Sequence, residues 1–153
     1  LPITMTDPSM TRFIMSLEEA VDLVLYAFVH GKNGDILIKK APACTLKTLS
    51  EAVLELFDAG KNGVRGIGIR HGEKLYETLL TKEEYAKAED LGDFFRVPAD
   101  TADLNYDNYF VSGDKKAVAA KEFNSSNTKL LTKKEVIEAL LKLPYIQAEL
   151  ENR

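Results

Sequence analysis

A strand–helix–strand pattern near the start of this 153-residue chain constrains its fold more than any other feature. Thr11-Arg12-Phe13-Ile14-Met15 reads as a short strand, and Ser16 with Glu19 forms a capping box that opens a helix. Asp22 adds negative charge early in that helix, where the dipole favours it. Leu17, Ala20, Val21, Val24, Leu25 and Phe28 recur at the spacing of a buried stripe. Gly31, Asn33 and Gly34 end the helix, and Asp35 to Lys39 reads as a strand with Ile36 and Ile38 on one face. Such a unit predicts an α/β fold, a small sheet flanked by helices on at least one side.

The pattern continues. Thr45 is placed to cap a second helix with an apolar stripe of Leu46, Leu49, Val53, Leu56 and Phe57. Gly60-Lys61-Asn62-Gly63 closes it, and Val64 to Ile69 reads as the next strand, with Gly66 and Gly68 allowing close backbone approach. Lys74 to Leu80 reads as extended or as one helical turn, and Thr81 with Glu84 caps a polar helix to about Glu89. Asp93 to Val97 reads as a strand. Beyond it, Tyr106, Tyr109, Phe110 and Phe123 are spaced without a period, the texture of a binding loop or an interface arm. Thr132 caps a last helix bearing Val136, Ile137, Leu140 and Leu141, which Leu143-Pro144 is expected to end. Leu1 to Ser9, with Pro2 and Pro8, is expected to be irregular.

Composition excludes several classes. The chain is 45% hydrophobic with net charge -4, so no global field draws it to nucleic acid or an anionic membrane, and no apolar run reaches spanning length. Any phosphate it binds must be met by local arginines. One cysteine, Cys44, rules out an internal disulfide and a cysteine-based zinc site; it falls in an expected loop and reads as structural or incidental. His30 suits a helix C-terminus, and His30 and His71 have no ligand spacing, so no metal site is expected. The start, Leu1-Pro2-Ile3-Thr4, resembles neither a signal peptide nor an initiator methionine, and the expectation is a cytoplasmic chain that begins partway through a longer protein.

One stretch carries candidate chemistry. Arg70-His71-Gly72-Glu73-Lys74-Leu75-Tyr76-Glu77 sets an arginine, a glycine and a carboxylate where an expected strand ends. A planar guanidinium can grip a phosphate with two parallel hydrogen bonds, and a nearby carboxylate can accept from ribose hydroxyls. Taken alone, these residues equally describe a surface Arg–Glu pair of little energy. Arg12 lies in an earlier strand after a threonine-rich loop, and strand-end loops of an α/β layer gather on one edge. Two guanidiniums converging there suit a pyrophosphate. Gly66-Ile67-Gly68 resembles part of a dinucleotide fingerprint, but His71 stands where its third glycine belongs. Asn124-Ser125-Ser126 matches a glycosylation acceptor, read as chance in a chain without secretory features.

Several longer strings resemble one family. They are Leu1-Pro2-Ile3-Thr4-Met5-Thr6, Met10-Thr11-Arg12-Phe13, Gly34-Asp35-Ile36, Lys40-Ala41-Pro42-Ala43-Cys44-Thr45 and the Arg70 to Glu77 stretch. Pro98-Ala99-Asp100, Leu104-Asn105-Tyr106 and Tyr109-Phe110-Val111 add to them. Together they resemble the C-terminal part of bacterial UDP-N-acetylglucosamine 4,6-dehydratase/5-epimerases of capsule and O-antigen synthesis. That family belongs to the extended short-chain dehydrogenase/reductases, and some members are labelled UDP-glucose 4-epimerases.

The resemblance implies the substrate-binding C-terminal part of such an enzyme without the complete Rossmann half. A full member carries a glycine-rich turn for NADP or NAD and a Tyr-x-x-x-Lys pair; this chain has neither, so no catalytic or cofactor-binding residue is assigned to it. It is expected to bind no cofactor and to turn over nothing alone. By resemblance Arg12 and Arg70 meet the pyrophosphate and Glu73 the uridine ribose. The loop from Leu1 to Thr6, with Thr4, passes beside the uracil, and Thr11 belongs to the same substrate-binding set. Residues 1–103 are expected to form the UDP-sugar-binding α/β region and 104–153 a C-terminal extension. The partners implied are a UDP-sugar, the protein's own N-terminal Rossmann half and further copies of the chain, with no nucleic acid and no membrane. Two alternatives stand beside this reading: a UDP-sugar 4-epimerase of the same superfamily, and a stand-alone, non-catalytic nucleotide-sugar-binding or assembly module.

Overall fold

The computed structural model of the protein describes residues 1–99 and 121–152. In chain order its first elements are β1 (Ile3–Met5), β2 (Thr11–Phe13), α1 (Leu17–His30), β3 (Ile36–Lys39), β4 (Ala43–Thr45) and α2 (Leu46–Leu56). A 3-10 turn at Gly60–Asn62 precedes β5 (Val64–Gly66), β6 (Thr78–Leu80), α3 (Lys82–Lys87), β7 (Glu89–Asp90) and β8 (Phe94–Val97). β9 (Phe123–Asn124), α4 (Lys133–Leu141) and α5 (Pro144–Glu151) complete the described elements. The expected α/β class, with short sheets and flanking helices, is the one observed. Tyr106, Tyr109, Phe110 and the expected boundary after residue 103 lie outside the described residues.

The chain sorts into two compact units. The first is Leu1–Ser16, Ala41–Glu77 and Ser125–Arg153. In it β1 runs parallel to β5, with Ile3 opposite Val64, Thr4 opposite Arg65 and Met5 opposite Gly66. The segment expected to be irregular therefore contains a strand. It forms because Ile3 and Met5 turn their side chains inward while β5 satisfies their backbone groups. β2 pairs antiparallel with β4, Arg12 opposite Cys44. Cys44 thus sits in a strand, not the expected loop; it is 1% exposed, and burial pushes its thiol pKa up.

Helix α2 starts where expected, the Thr45 hydroxyl accepting from the Thr48 amide. Its most buried positions, however, are Ser50 and Ala52 rather than the leucine stripe. Ala52 packs with Cys44 and Val136, and a small residue lets α4 come close to α2. Thr132 and Glu135 form a reciprocal capping box at the start of α4. Pro144 does not terminate helical structure but opens α5, standing in its first turn where a missing N–H costs nothing.

Glu135 offers a direct check on this cap. Its carboxylate accepts from Lys129 and from the Thr132 amide and hydroxyl, which lowers its pKa to about 2. A depressed carboxyl stabilises the fold above its unfolded value of 4.5 and loses that contribution as pH falls through about 2. The expected result is a Glu135 carboxyl resonance titrating near pH 2, moving back toward 4.5 in Lys129→Ala. An unshifted midpoint in the native chain contradicts the cap.

The second unit is Leu17–Lys40 and Thr78–Asn124. β8 lies between β3 and β7, antiparallel to both, and β6 pairs with β9 across a register irregularity. Its core is Ile38, Leu80, Phe95 and Val97, with Ala88 and Phe123 against it. The Thr81–Glu84 capping box is present at the start of α3. Arg96 on β8 pairs with Glu89 and lies 3.9 Å from Asp35.

Helix α1 departs from expectation. No residue in it is buried; Leu17 is 77% and Phe28 84% exposed, and Val21, Val24 and Leu25 are open as well. What holds the helix is its contact with β3 and the stack of Tyr26 on Phe94, 4.3 Å between ring centroids. Among the described residues no element covers the apolar stripe, so its periodicity gives the helix but not the burial.

Candidate functional site

The candidate site lies in the first unit, at the edge where the parallel strands β1 and β5 end. β5 stops at Gly66, three residues short of the expected strand end. Gly68 is the reason: its φ of +79° is left-handed and breaks the extended run before Ile69. Ile67 still donates to the Met5 carbonyl at 2.8 Å, and the chain then enters the Arg70 motif.

The motif is a closed turn. The Glu73 amide donates to the Arg70 carbonyl at 3.1 Å, and Gly72, at φ +83°, occupies the position a type II turn reserves for glycine. The Glu73 carboxylate folds back, Oε2 accepting from the Arg70 amide at 3.0 Å. This leaves Oε1 without a partner among the described residues. The Arg70 side chain points to solvent, and its guanidinium has no partner among the described residues. A planar fork with open donors beside a carboxylate can take an oxyanion and a hydroxyl side by side.

Arg12 is placed differently. Its guanidinium, about one-third exposed, lies on the stretch that follows the turn. Nη1 donates to the Thr11 carbonyl at 2.7 Å and reaches the Leu75 carbonyl at 3.5 Å. Nη2 donates to the Lys74 carbonyl at 3.0 Å and approaches the Met10 sulfur at 3.7 Å. Nε stands 3.7 Å from the Glu77 carboxylate. The fork that sequence assigns to a diphosphate is thus committed to main-chain carbonyls, and only guanidinium, with five donors in one plane, can make this set. Thr11 adds a main-chain bond from its amide to the Leu75 carbonyl at 2.9 Å. Its side chain is turned inward, with the residue 6% exposed.

Ser125 completes the support, a role that its sequence neighbourhood does not announce. It is fully buried. Its amide donates to the Glu77 carbonyl at 2.8 Å, and its hydroxyl accepts from the Glu77 amide at 3.0 Å. The same hydroxyl donates to the Thr11 carbonyl at 3.0 Å and lies 2.8 Å from the Thr11 hydroxyl. No local pattern announces a contact between residues 114 positions apart.

Thr4 is exposed on β1, beside Arg65 in register. It borders a mainly apolar hollow of about 250 Å³, lined also by Ile3, Met5, Leu46, Leu49, Ser50 and Val53. Neither Arg12 nor Arg70 lines that hollow. Gly66 and Gly68 sit in open space, with no atom within 4 Å of an added Cβ, and a turn rather than a helix follows them. They do not form the strand–turn–helix cradle that a dinucleotide needs, so these residues do not fit a nicotinamide cofactor. Among the described residues no cluster of histidine, cysteine and carboxylates is arranged to hold a metal, and no helix is long and apolar enough to cross a membrane.

Fold and site together define a small α/β protein with a strand-edge Arg–Gly–Glu turn, and comparison with known proteins gives the family. Residues 1–99 match the family described as Polysaccharide biosynthesis protein, and residues 100–147 match Polysaccharide biosynthesis protein C-terminal. The chain belongs to this polysaccharide biosynthesis family. It is 55% identical over 150 residues to proteins named UDP-glucose 4-epimerase from Rickettsia typhi and Rickettsia felis, and 53% identical to one from Rickettsia canadensis. In each case 98% of this chain aligns with 44% of the relative, so the chain spans less than half the length of these proteins. The structure is similar to the X-ray structure of Pen from Bacillus thuringiensis, with TM-score 0.74 and 32% identity over 92% of this chain and 40% of that one.

Proposed function

We propose that the chain is the substrate-binding portion of a nucleotide-sugar-modifying enzyme of the extended short-chain dehydrogenase/reductase superfamily, acting in the cytoplasm on a UDP-sugar for surface polysaccharide. The observation that carries the reading is the docking of Arg12 on the Lys74 and Leu75 carbonyls, which ties the first strands to the stretch bearing Arg70 and Glu73. On this edge Arg70 takes the diphosphate with its open fork. Arg12 adds positive charge and fixes the stretch behind it, with Thr11 as part of its support. Glu73 receives the ribose hydroxyls on Oε1, and Thr4 stands beside the uracil. The cofactor, NADP or NAD, and the catalytic residues belong to an N-terminal Rossmann half, and the complete enzyme is a homo-oligomer.

The reaction class we assign is 4,6-dehydration with 5-epimerisation of UDP-N-acetylglucosamine, on the strength of the Arg70-His71-Gly72-Glu73-Lys74-Leu75-Tyr76-Glu77 string and the strings around Thr4 and Arg12. The names of the Rickettsia relatives favour a second reading, a UDP-sugar 4-epimerase. Incubating the full-length protein with UDP-N-acetylglucosamine and NAD(P) separates them. Mass spectrometry of the product is expected to show loss of one water. A product of unchanged mass assigns the epimerase instead, and no consumption of any UDP-sugar overturns both readings.

A further inference from the structure

We infer that Ser125 is a positioning residue of the nucleotide site, holding Arg12 and the Lys74–Glu77 stretch in one register. The inference rests on the UDP-sugar reading above and adds a residue outside the strings that carry the family resemblance. A serine hydroxyl has one proton to give and two lone pairs to receive. At Ser125 all three are used if its proton goes to the Thr11 carbonyl, because the Thr11 hydroxyl and the Glu77 amide then both donate to it. The bond to the Thr11 carbonyl matters most for the site. That oxygen also accepts from Arg12 Nη1, so Ser125 and Arg12 share one acceptor, each on its own lone pair.

From that oxygen the chain of contacts runs through the guanidinium to the Lys74 carbonyl, while Ser125 separately pins both the amide and the carbonyl of Glu77. The four-residue stretch after the Arg70 turn is therefore gripped at its start by Arg12 and at its end by Ser125. At the Ser125 end burial keeps water from substituting for the grip, and removing the hydroxyl leaves the Glu77 amide and the Thr11 hydroxyl unsatisfied. The guanidinium then loses the carbonyl geometry that orients it, and Arg70 and Glu73 lose the fixed stretch behind their turn.

The test is a double-mutant cycle on UDP affinity in the full-length protein, using UDP itself as probe. Ser125→Ala is expected to weaken UDP binding about tenfold, the size of one lost buried hydrogen bond with its partner left unsatisfied. The Arg12→Ala, Ser125→Ala double variant is expected to bind no more weakly than Arg12→Ala alone, because both act through one unit. Ser125→Thr, which keeps the hydroxyl, is expected to recover most of the affinity. A serine that only stabilises the fold gives a different result: thermal stability falls, UDP affinity of the folded protein does not, and nothing couples to Arg12. Should Ser125→Ala not fold, Ser125→Cys keeps the volume while weakening the same bonds, and the same loss and coupling are expected of it. Wild-type affinity in the serine variant, or effects that simply multiply with those of Arg12→Ala, overturns the positioning role. A wild-type protein that does not bind UDP overturns the nucleotide site and this inference with it.

Discussion

Arg12→Ala in the full-length protein is expected to lower UDP affinity about 100-fold and to lower the thermal midpoint as well. Two short charge-assisted bonds disappear, to the Thr11 carbonyl at 2.7 Å and the Lys74 carbonyl at 3.0 Å. Each contributes about 1.5–3 kcal/mol net, and tenfold in affinity corresponds to about 1.4 kcal/mol, so a hundredfold is the lower end of what two such bonds support. Part of the loss falls on stability, because the start of the Lys74–Glu77 stretch loses the side chain that ties it to β2. Arg12→Lys is expected to recover little. An ammonium is a point charge on a flexible stem and cannot reach Thr11, Lys74 and Glu77 from one plane. Affinity within twofold of wild type in Arg12→Ala, read by calorimetric titration with UDP, contradicts the assignment.

Arg70→Ala is expected to produce the opposite division. Arg70 is exposed and its guanidinium makes no hydrogen bond or ion pair among the described residues, so its removal is expected to leave the fold intact and the thermal midpoint unchanged. UDP affinity is expected to fall between about 10-fold and 100-fold, the range for one charge-assisted contact to a diphosphate. Rising salt is expected to shrink the difference between wild type and variant, since an exposed charge acts across screened solvent. The contrast between the two arginines is the sharper test. If Arg70→Ala destabilises the fold while sparing affinity, the roles given to the two side chains are reversed or absent.

The local grammar of the chain is written in its residues and can be read from them. Thr45, Thr81 and Thr132 cap the helices they precede because the signal and the hydrogen bond lie within four residues of each other. The Arg70–Glu73 turn is legible for the same reason: Gly72 supplies the left-handed backbone and Glu73 closes onto the Arg70 amide three residues back. Legibility fails where partners are distant. β1 exists because β5 lies beside it, some sixty positions along, and two prolines nearby disguise it. Pro144 reads as a stop in sequence but stands at a helix start.

The site divides in the same way. Arg12 and Arg70 stand out in the sequence as candidate phosphate-binding arginines, but the seat of Arg12 is not legible there, since its acceptors are carbonyls that any sequence would provide. Ser125 sits in a string that resembles a chance glycosylation signal, and only the packed structure brings it to Thr11 and Glu77. Helix α1 shows the limit of periodicity from the other side. Leu17, Val21, Val24, Leu25 and Phe28 make a regular apolar stripe, but a stripe names no partner, and more than half the length of the Rickettsia relatives has no counterpart in this chain.

The most direct measurement is a structure of the full-length protein with UDP bound. The diphosphate oxygens are predicted to lie within hydrogen-bond distance of the Arg70 guanidinium, with a ribose hydroxyl on Glu73 and Arg12 still seated on the Lys74 carbonyl. A nucleotide bound away from this turn, with Arg70 left in solvent, contradicts the account.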